Sequence, residues 1–501
     1  MKTYVASIDS GTSAIKTALF DMEGNIKGLV IKKCPCIFHK NGFIEQDPRG
    51  ILGGVFSSLK KTVEMSGVRP IQVAAISFSS QRATVIPVDR NGVNIGNAIS
   101  WQDMRGAKEI KKLKKTIDDS RYYQITGLPD NPVFTLGKIL WFKKDSPGTY
   151  KKIWKFALVN DYISRSAGLD DLYADWSNAS LTGMFDISGF SWSEEILKLT
   201  GISRDKLPLL VSPGKKTGAL NAALARKCGL LPGTPLISGG GDQQCAGLGA
   251  GAVEPGVAEI TLGTAAVTLL YSDKRAVDPG RRIMCAAHAV PGKWEVEGLQ
   301  NSAAGSLAWI SRIVNNGKDF NKKFFSKMEK EKRNIPGKTI LFYPFLSGSS
   351  APNWISGASA VLLGLGHAHD KHDIVRSIME GVTLETREIL DVFGSLGIPL
   401  EELRITGGGS TIESWMRMQA NIFNKKLTGL ECHQASLLGA GMLAAYGIGA
   451  FKDLKAAARK MVRVSGTYLP DAEKAVNYNR VYEKYKKIQK TLRAAGVFGE
   501  L

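Results

Sequence analysis

The chain has 501 residues, of which 44% are hydrophobic and 22% charged, and its formal net charge is +20. This hydrophobic share excludes a disordered chain, and the length exceeds one ordinary domain, so we expect two domains. No apolar run reaches the roughly 18 residues that a membrane-spanning helix needs, so we expect no membrane partner. The basic residues follow predicted helix faces without a zinc-finger or RNA-recognition motif, so we expect no nucleic-acid partner.

Cysteine usage indicates a reducing compartment. The six cysteines are scattered, without a CxxC pair or the density typical of small secreted domains. The first ten residues form a strand pattern and not a signal peptide. We therefore expect a cytoplasmic location, while the oligomeric state stays open and includes a homodimer.

The first half of the chain alternates predicted strands with predicted helices. Short apolar runs bounded by turn residues indicate strands, and longer runs with helical spacing indicate helices. The predicted strands are Val5–Ile8, Thr17–Asp21, Ile71–Phe78, Ala98–Trp101 and Pro235–Gly241. The predicted helices are Arg49–Met65, Arg121–Gly127, Leu136–Lys144 and one that Asp242 opens.

The second half repeats this organisation. The predicted strands are Ala258–Gly263, Val267–Tyr271, Trp294–Glu297 and Leu403–Thr406. The predicted helices are Ala303–Asn315, Lys371–Gly394, Glu413–Phe423 and a buried, glycine-containing one over Leu437–Ala450. Strand, glycine turn and helix units predict α/β domains with helices on the faces of sheets. A glycine-rich crossing near residues 248 to 256 predicts domains over 1–248 and 249–501.

Two similar turns lie far apart in the chain. Asp9-Ser10-Gly11-Thr12 and Leu262-Gly263-Thr264 each join two predicted strands. Glycine lets backbone N–H groups approach a phosphate, the threonine hydroxyl adds a donor, and Asp9 can hold Mg²⁺ through water. Two such turns indicate a duplicated fold that holds a nucleotide.

Segments spread over nearly the whole chain resemble the FGGY family of carbohydrate kinases. They occur in the family's order, which makes the resemblance far more specific than any single turn. They are the turns at residues 8–21 and 262–264, Glu45-Gln46-Asp47-Pro48, Trp101-Gln102-Asp103-Met104-Arg105, Asn178-Ala179-Ser180, Gly239-Gly240-Gly241-Asp242-Gln243-Gln244 and Gly407-Gly408-Gly409.

The resemblance implies a fold and a set of ligands. The fold would be two ribonuclease-H-like α/β domains of the actin and hexokinase type, with the active site in the cleft between them. The cofactors would be ATP and Mg²⁺, and the partner a small sugar or polyol. The residues implied for ATP binding are Gly11, Thr12, Ser13, Gly263, Thr264, Gly305, Gly408 and Gly409.

The resemblance also implies catalytic and sugar-binding residues. Asp242 would be the general base and, with Asp9, a magnesium-side carboxylate. Local sequence alone favours a plain helix N-cap for Asp242, and the resemblance reverses that preference. The implied sugar contacts are Arg82, Trp101, Asp103 and Gln243.

The substrate pocket departs from that of glycerol kinase. The similar segment there reads Q-R-E-T, whereas this chain has Gln81-Arg82-Ala83-Thr84, and Val133 stands where glycerol kinase has a tyrosine. Two lost polar contacts disfavour glycerol, because unpaired hydroxyls reduce affinity and rate. We expect a xylulokinase-like phosphotransferase acting on a ketose or polyol. Glycerol kinase is the alternative, and a nucleotide-driven binding protein or a silent sugar sensor would be alternatives of another class.

Overall fold

The computed structural model describes residues 3–129, 131–330, 339–355 and 357–499. Within these ranges the chain forms two compact units, each drawn from three segments. The first comprises the chain up to Glu254, Tyr271–Glu295 and Gln434–Arg463; the second comprises Pro255–Leu270, Val296–His433 and the chain from Val464 onward. The single boundary between residues 248 and 249 stays a prediction.

The first unit is built on a mixed six-stranded sheet. Its strands lie in the order Lys216–Ala219, Pro235–Gly241, Val73–Ser80, Tyr4–Ser10, Ala14–Asp21 and Ile26–Lys33. The second, third and fourth strands of this order run parallel, and their register places Ser10 and Gly241 opposite Ser80. The carboxyl ends of these three strands therefore meet at one edge, where the residues that follow them are brought together.

Helices cover this sheet and extend the first unit. They are Pro48–Ser66, Ala107–Leu113, Asp119–Thr126, Thr135–Asp145, Pro147–Lys152, Val159–Ala167, Trp176–Ser180, Glu194–Thr200, Ala222–Cys228, Asp242–Gly249, Ala435–Gly447 and Leu454–Met461. Short strands lie at Ile37–Phe38, Ile44–Gln46, Ile86–Val88, Ala98–Ile99, Lys155–Ala157, Tyr173–Asp175, Phe185–Asp186, Ser191–Trp192, Leu209–Val211 and Met284–Ala287.

The second unit is built on a second sheet. Each of the strands given next lies wholly or mostly within this unit. These neighbouring strands are Trp294–Gln300, Ala266–Ser272, Gly256–Leu262, Leu400–Thr406, Lys426–Leu430 and Val464–Tyr468. A shorter pair is formed by Leu341–Tyr343 and Val361–Leu363. Its helices are Ala304–Val314, Lys322–Lys330, Lys371–Ser395, Glu413–Phe423 and Ala472–Ala494. Gly256–Leu262 and Leu400–Thr406 are parallel, with Thr261 opposite Thr406, so the turns after both strands lie at one edge.

One helix pair in the first unit packs at unusually close range. A Cβ atom built on Gly439 would lie 1.9 Å from the carbonyl oxygen of Cys245, and one on Gly249 would lie 2.0 Å from that of Ala435. Only glycine allows the helices Asp242–Gly249 and Ala435–Gly447 to approach this closely. The buried helix predicted over Leu437–Ala450 is thus confirmed, with a start at Ala435.

The sequence predicted most of the regular elements with bounds that differ by a few residues. Asp242 opens a helix as expected, but Gly241 occupies the N-cap position, so the plain N-cap alternative for Asp242 is wrong. A further helix, for which no bounds were predicted from the sequence, spans the 23 residues Ala472–Ala494. Within the described ranges, no helix combines the length and apolar character that a bilayer crossing requires.

Candidate active site

The first phosphate loop, defined as residues 9–13, joins two antiparallel strands of the first unit. The Gly11 N–H donates to the Ala14 carbonyl at 3.0 Å and closes the turn. Gly11 and Thr12 are half-buried and Ser13 is exposed, so all three remain accessible to a ligand.

Asp9 lies at the carboxyl end of its strand and is only 5% exposed. Its Oδ1 accepts a hydrogen bond from Ser79 Oγ at 2.9 Å, and its Oδ2 lies 3.6 Å from Lys16 Nζ. Burial raises the pKa of Asp9 most strongly, Lys16 opposes this, and the negative charge of Asp242 raises the pKa further. A buried carboxyl facing a second carboxyl is an environment that a cation would stabilise.

The hydroxyl of Thr12 is engaged within the protein. It donates to Gln81 Oε1 at 3.1 Å and accepts from Trp101 Nε1 at 2.9 Å. Gln46 supports the same loop, because its Nε2 donates to the Thr12 carbonyl at 2.9 Å. The predicted ATP residue Thr12 and the predicted sugar residue Trp101 are therefore in direct contact, and the indole N–H of Trp101 is already used.

Asp242 and Arg82 meet at the shared edge of the sheet. Arg82 Nε lies 3.2 Å from Asp242 Oδ1, and the two side chains are 14% and 28% exposed. The parallel pairing of Val73–Ser80 with Pro235–Gly241 explains this contact, since each residue lies one or two positions beyond its strand. Asp242 thus combines partial exposure with a cation that fixes its orientation.

The backbone preceding Asp242 is held from behind by buried polar side chains. Ser177 Oγ accepts from the Gly241 N–H at 2.9 Å and donates to Asp175 Oδ1 at 2.5 Å. Asn160 Nδ2 donates to the Gly240 carbonyl at 3.1 Å. These contacts fix the peptide groups on which the position of Asp242 depends.

The other predicted sugar residues occupy different surroundings. Asp103 is fully buried, and its carboxylate accepts hydrogen bonds from Ile44 N and from three nitrogens of Arg105. Its pKa is lowered below the ordinary value: burial acts upward, but the hydrogen bonds and charge of Arg105 outweigh it. Gln243 is half-buried, and its Oε1 has no hydrogen-bond partner among the described residues.

The two positions that differ from glycerol kinase are apolar in this structure. Ala83 is buried and has a φ of 59°, in the left-handed region that an alanine rarely adopts. Val133 packs on an apolar cluster that includes Leu128, Phe134 and Leu181. Neither side chain offers a hydrogen-bonding group.

The predicted nucleotide residues of the second unit also lie together. The Gly305 and Ala303 N–H groups donate to the Thr264 carbonyl at 3.2 Å and 2.8 Å, and Ala304 N–H donates to the Gly263 carbonyl at 2.9 Å. The second phosphate loop, Gly263-Thr264, is thereby fixed to the start of the helix Ala304–Val314. The Thr264 side chain points outward, because this residue is exposed.

Gly408 and Gly409 follow the neighbouring strand of that unit. Nothing lies within 4 Å of a Cβ built on Gly408, whereas Gly409 packs on Leu262. Below both turns, Glu259 Oε1 accepts from Thr261 Oγ1 at 2.7 Å and from Thr406 Oγ1 at 2.6 Å. One buried carboxyl therefore connects the two strands that carry these turns.

Several residues that contact the site or support its strands were not predicted from the sequence. Lys16 lies in the segment of residues 8–21 that resembles the family's first phosphate loop. Its contact with Asp9 places a positive charge next to that loop. Ser177 directly precedes the triplet Asn178-Ala179-Ser180, so that motif was the available signal. No local pattern indicated Asn160 or Glu259, because their partners lie 80 and 147 residues away.

A metal ion at this site would be bound by only a few protein side chains. Among the described residues, no group of three or more His, Cys, Asp or Glu side chains converges on a common point. Asp9 and Asp242 supply carboxylate oxygens at the same edge of the sheet, and the charge of Asp242 raises the pKa of Asp9. Mg²⁺ fits such a pair, because it commonly binds one or two carboxylates together with water and substrate phosphates.

Comparison with known proteins identifies the relatives of this chain. Models of the N-terminal and C-terminal domains of the FGGY family of carbohydrate kinases match residues 4–249 and 258–448. A xylulose kinase of Bacillus subtilis (strain 168) is 31% identical over 489 residues, covering 97% of this chain and 96% of the relative. A gluconokinase of Bacillus licheniformis and a glycerol kinase of Thermococcus gammatolerans are each 28% identical over 500 and 462 residues.

Solved structures share the fold over almost the whole chain. A ligand-bound xylulose kinase from Lactobacillus acidophilus has a TM-score of 0.91 at 24% identity, covering 98% of this chain and 99% of its own. Plasmodium falciparum glycerol kinase with ADP has a TM-score of 0.86 at 25% identity, covering 98% of both chains. The predicted two-domain α/β fold of the actin and hexokinase type is confirmed.

Proposed function

Because this chain belongs to the FGGY family of carbohydrate kinases, we propose that it phosphorylates a small ketose, with D-xylulose as the first candidate, and that Asp242 is the general base. Family membership makes the chain an ATP-dependent carbohydrate kinase, a phosphotransferase with an alcohol group as acceptor. The single observation that supports Asp242 is its position: half-buried, beside Arg82, at the edge where Asp9 also ends its strand.

The proposed transfer follows from these contacts. A sugar hydroxyl hydrogen-bonded to Asp242 gives its proton to the carboxylate while its oxygen forms a bond to the γ-phosphorus. The bond from that phosphorus to the bridging oxygen breaks, and ADP leaves. Arg82 holds the orientation of Asp242, and positioning of this kind supplies much of the rate in phosphoryl transfer.

Asp9 and Asp242 are the proposed magnesium-side carboxylates. Mg²⁺, when bound, neutralises charge on the phosphate oxygens. In the first unit the N–H groups of Thr12 and Ser13 would bind phosphate, and Gly11, whose N–H closes the turn, would let the phosphate approach the backbone. Gly263 and Thr264 would bind phosphate in the second unit. Glycines at 305, 408 and 409 would line the adenosine site; a Cβ on Gly408 would face open space, whereas Gly305 and Gly409 pack on Thr264 and Leu262.

The proposed preference for a ketose over glycerol rests on Ala83 and Val133. Each is apolar where glycerol kinase has a polar contact, so a glycerol hydroxyl would lose a partner. A lost hydrogen bond of this kind costs on the order of 1–3 kcal/mol. Gluconate is the second candidate, because two of the similar proteins carry the name gluconokinase.

A substrate panel tests the proposal. ADP release would be measured with D-xylulose, D-ribulose, gluconate and glycerol at matched concentrations. We expect a ketose to give the highest kcat/KM and glycerol a value at least tenfold lower. Equal kcat/KM values for glycerol and the best ketose would contradict the proposed pocket. Absence of sugar-dependent ADP release across the panel, with ATP still bound, would favour a silent sensor.

The role of Asp242 is tested by Asp242→Asn, which keeps the shape of the side chain. We expect kcat on the best substrate to fall by roughly 10²–10⁴, while ATP binding measured by calorimetry stays nearly unchanged. Asp145→Asn is the matched control, because Asp145 is exposed in the same unit. If the Asp242 variant keeps more than about a third of the wild-type kcat, another group is the base.

A cytoplasmic location is part of the same proposal. All six cysteines are free thiols, and four of them are buried. A reducing compartment suits such a chain. Fractionation of the producing cells would place the activity with soluble or with membrane material and so decide the point.

A further inference from the structure

The first unit carries a polar pocket that the proposed transfer does not use. Its volume is about 520 Å³, and its walls come from the start of the helix Pro48–Ser66, the turn at residues 91–94 and the end of the helix Val159–Ala167. That size falls in the range of small-molecule sites. We call this cavity the arginine pocket, after Arg49 and Arg165 in its lining.

The arginine pocket is positively charged. Among the described residues, its lining includes two guanidinium groups and no aspartate or glutamate. Arg49 is exposed; its backbone N–H donates to Asp47 Oδ1 at 3.0 Å, and its guanidinium takes part in none of the hydrogen bonds or ion pairs within the described ranges. The nearest carboxylates on the same segments, Asp47 and Asp89, accept hydrogen bonds from backbone N–H groups.

Arg165 is the stronger indication of an anionic ligand. Its side chain is half-buried against Gly92, and Nη1 donates to the Leu169 carbonyl. Its Nε–H has no acceptor within the described part of the chain. A partly desolvated guanidinium without a carboxylate partner is unfavourable, and a bound anion would compensate its charge.

The remaining polar side chains of the pocket lining suit hydroxyl groups of a ligand better than a second charged group of that ligand. Asn91, Asn94, Ser166 and Asn221 line the same pocket. Asn91 and Asn221 are exposed, so the Nδ2 groups of both can donate to a ligand, while Asn221 Oδ1 accepts from the Leu224 N–H at 2.9 Å. The buried ring of Tyr162 and the Leu169 side chain add apolar surface beneath them.

The arginine pocket and the site proposed for phosphoryl transfer, which contains Asp242, lie at opposite ends of the helix Val159–Ala167. Asn160, in the first turn of Val159–Ala167, contacts the Gly240 carbonyl beside Asp242. Arg165 and Ser166 lie in the last turn of the same helix. The pocket therefore lies away from the strand ends that carry Asp9 and Asp242.

We propose that the arginine pocket is a second binding site of this chain and that it takes a small phosphate ester bearing hydroxyl groups. Arg49 and Arg165 bind the phosphate, and the exposed amides of Asn91 and Asn221 bind the hydroxyls, since the Asn94 amide is taken up by the Gly96 carbonyl and the Tyr162 hydroxyl. Bidentate guanidinium contacts are the preferred protein recognition of phosphate. The proposal goes beyond the transfer reaction and does not depend on the identity of the base.

Calorimetry with glucose 6-phosphate, glucose and inorganic phosphate tests the site. The titrations use the full chain with a non-hydrolysable ATP analogue and the best sugar of the panel both saturating, so that the transfer site is filled. We expect glucose 6-phosphate to bind at least tenfold more tightly than inorganic phosphate, and glucose not to bind. Equal affinity for inorganic phosphate, or no binding of glucose 6-phosphate, would overturn the proposal.

Variants locate the binding. Arg49→Gln and Arg165→Gln together should weaken glucose 6-phosphate binding at least tenfold and leave basal kcat unchanged. Arg49→Gln alone should weaken it severalfold, which keeps the test decisive if the variant at the half-buried Arg165 unfolds. Arg226→Gln removes the same charge from another exposed position of the first unit and should have no effect. Wild-type affinity in both Arg49 variants would place the ligand elsewhere and refute the arginine pocket.

Discussion

At the scale of single residues, the backbone before Asp242 depends on one hydroxyl. The Gly241 N–H donates to Ser177 Oγ, and that hydroxyl in turn donates to the buried carboxyl of Asp175. A buried N–H that loses its acceptor costs about 1–3 kcal/mol, which the chain can recover only by moving the peptide group. Ser177 is therefore a positioning residue for Asp242.

We expect Ser177→Ala to lower kcat roughly tenfold or more, because small displacements of a reacting group cost large rate factors. The KM values for ATP and sugar should change much less, since Ser177 is buried and touches neither ligand site directly. Ser177→Thr keeps a hydroxyl and should restore much of kcat. Ser58→Ala is the control, because the buried Ser58 hydroxyl has no hydrogen-bond partner in the described ranges. Equal kcat in Ser177→Ala and wild type would remove this role.

Glu259 makes the second unit sensitive to pH. Burial raises its pKa to about 7 from an ordinary 4.5; hydrogen bonds from Thr406 and Thr261 oppose this, and the charge of Glu297 adds to it. The folded chain thus binds this proton more tightly than the unfolded chain. Its contribution to stability is complete below about pH 4.5 and is lost as the pH rises through about 7.

We expect Glu259→Gln to remove the loss of folding stability that wild type shows as the pH rises. Relative to wild type, the variant should gain stability between pH 5 and pH 8, by on the order of 2–3 kcal/mol at most. Thermal unfolding midpoints across this range would measure the gain. Glu401→Gln, at an exposed position of the neighbouring strand, should show a difference that does not vary with pH. A Glu259→Gln midpoint difference that is flat from pH 5 to 8 would contradict the assignment.

At the scale of elements, a close contact at a glycine fixes the position of the helix that begins at Asp242. The helix Ala435–Gly447 presses on it so closely that a Cβ on Gly439 would overlap the Cys245 carbonyl. A methyl group there must displace one helix from the other, and overpacking of this kind costs typically 1–3 kcal/mol. Because Asp242 is the first residue of the displaced helix, catalysis should suffer as well.

We expect Gly439→Ala to lower the unfolding temperature of the first unit and to reduce kcat more than the KM for ATP. Gly53→Ala is the matched control, since a Cβ there meets nothing within 4 Å and Gly53 lies in the helix Pro48–Ser66. That substitution should be neutral or stabilising by up to about 1 kcal/mol, the helix preference of alanine over glycine. Similar unfolding temperatures for the two variants would show that the helices can separate without cost.

Local patterns predicted the elements but not their assignment to a unit. Periodicity and turn residues were sufficient for strands such as Pro235–Gly241 and for the helix that follows. Nothing local in Ala435–Gly447 indicates that it packs with residues almost 200 positions earlier, because that contact depends on the close approach of two glycine-bearing helices. The edge strand Ile26–Lys33 was missed, since its exposed lysines and isoleucines do not alternate cleanly.

The site itself was predictable where a motif carries the chemistry. Asp9 lies at the carboxyl end of its strand, and Arg82 and Asp242 follow two strands parallel to it, so the fold brings all three to one edge. The hydrogen bonds of Thr12, Trp101 and Asp103 were not predictable, because each joins segments that are 59 to 89 residues apart. Their roles toward ATP and sugar stay predictions.

At the scale of the whole molecule, the two sets of proposed residues belong to different units. Asp242 and the first phosphate loop are in the first unit, and Gly263, Thr264 and the glycines at 408 and 409 are in the second. If both sets act on one ATP molecule, neither unit can complete the site alone. We therefore expect the units to move together when sugar and nucleotide are both bound, which also excludes water that would compete for the phosphoryl group.

Small-angle scattering tests this closure. The radius of gyration should fall when the best sugar and a non-hydrolysable ATP analogue are both saturating, and fall less with either ligand alone, because only the pair engages both units. The Asp242→Asn chain is a useful control: it should still close, since its substitution affects proton transfer and not the phosphate-binding turns. An unchanged radius of gyration with both ligands bound would mean that the site is already assembled, and that exclusion of water comes from the bound sugar itself.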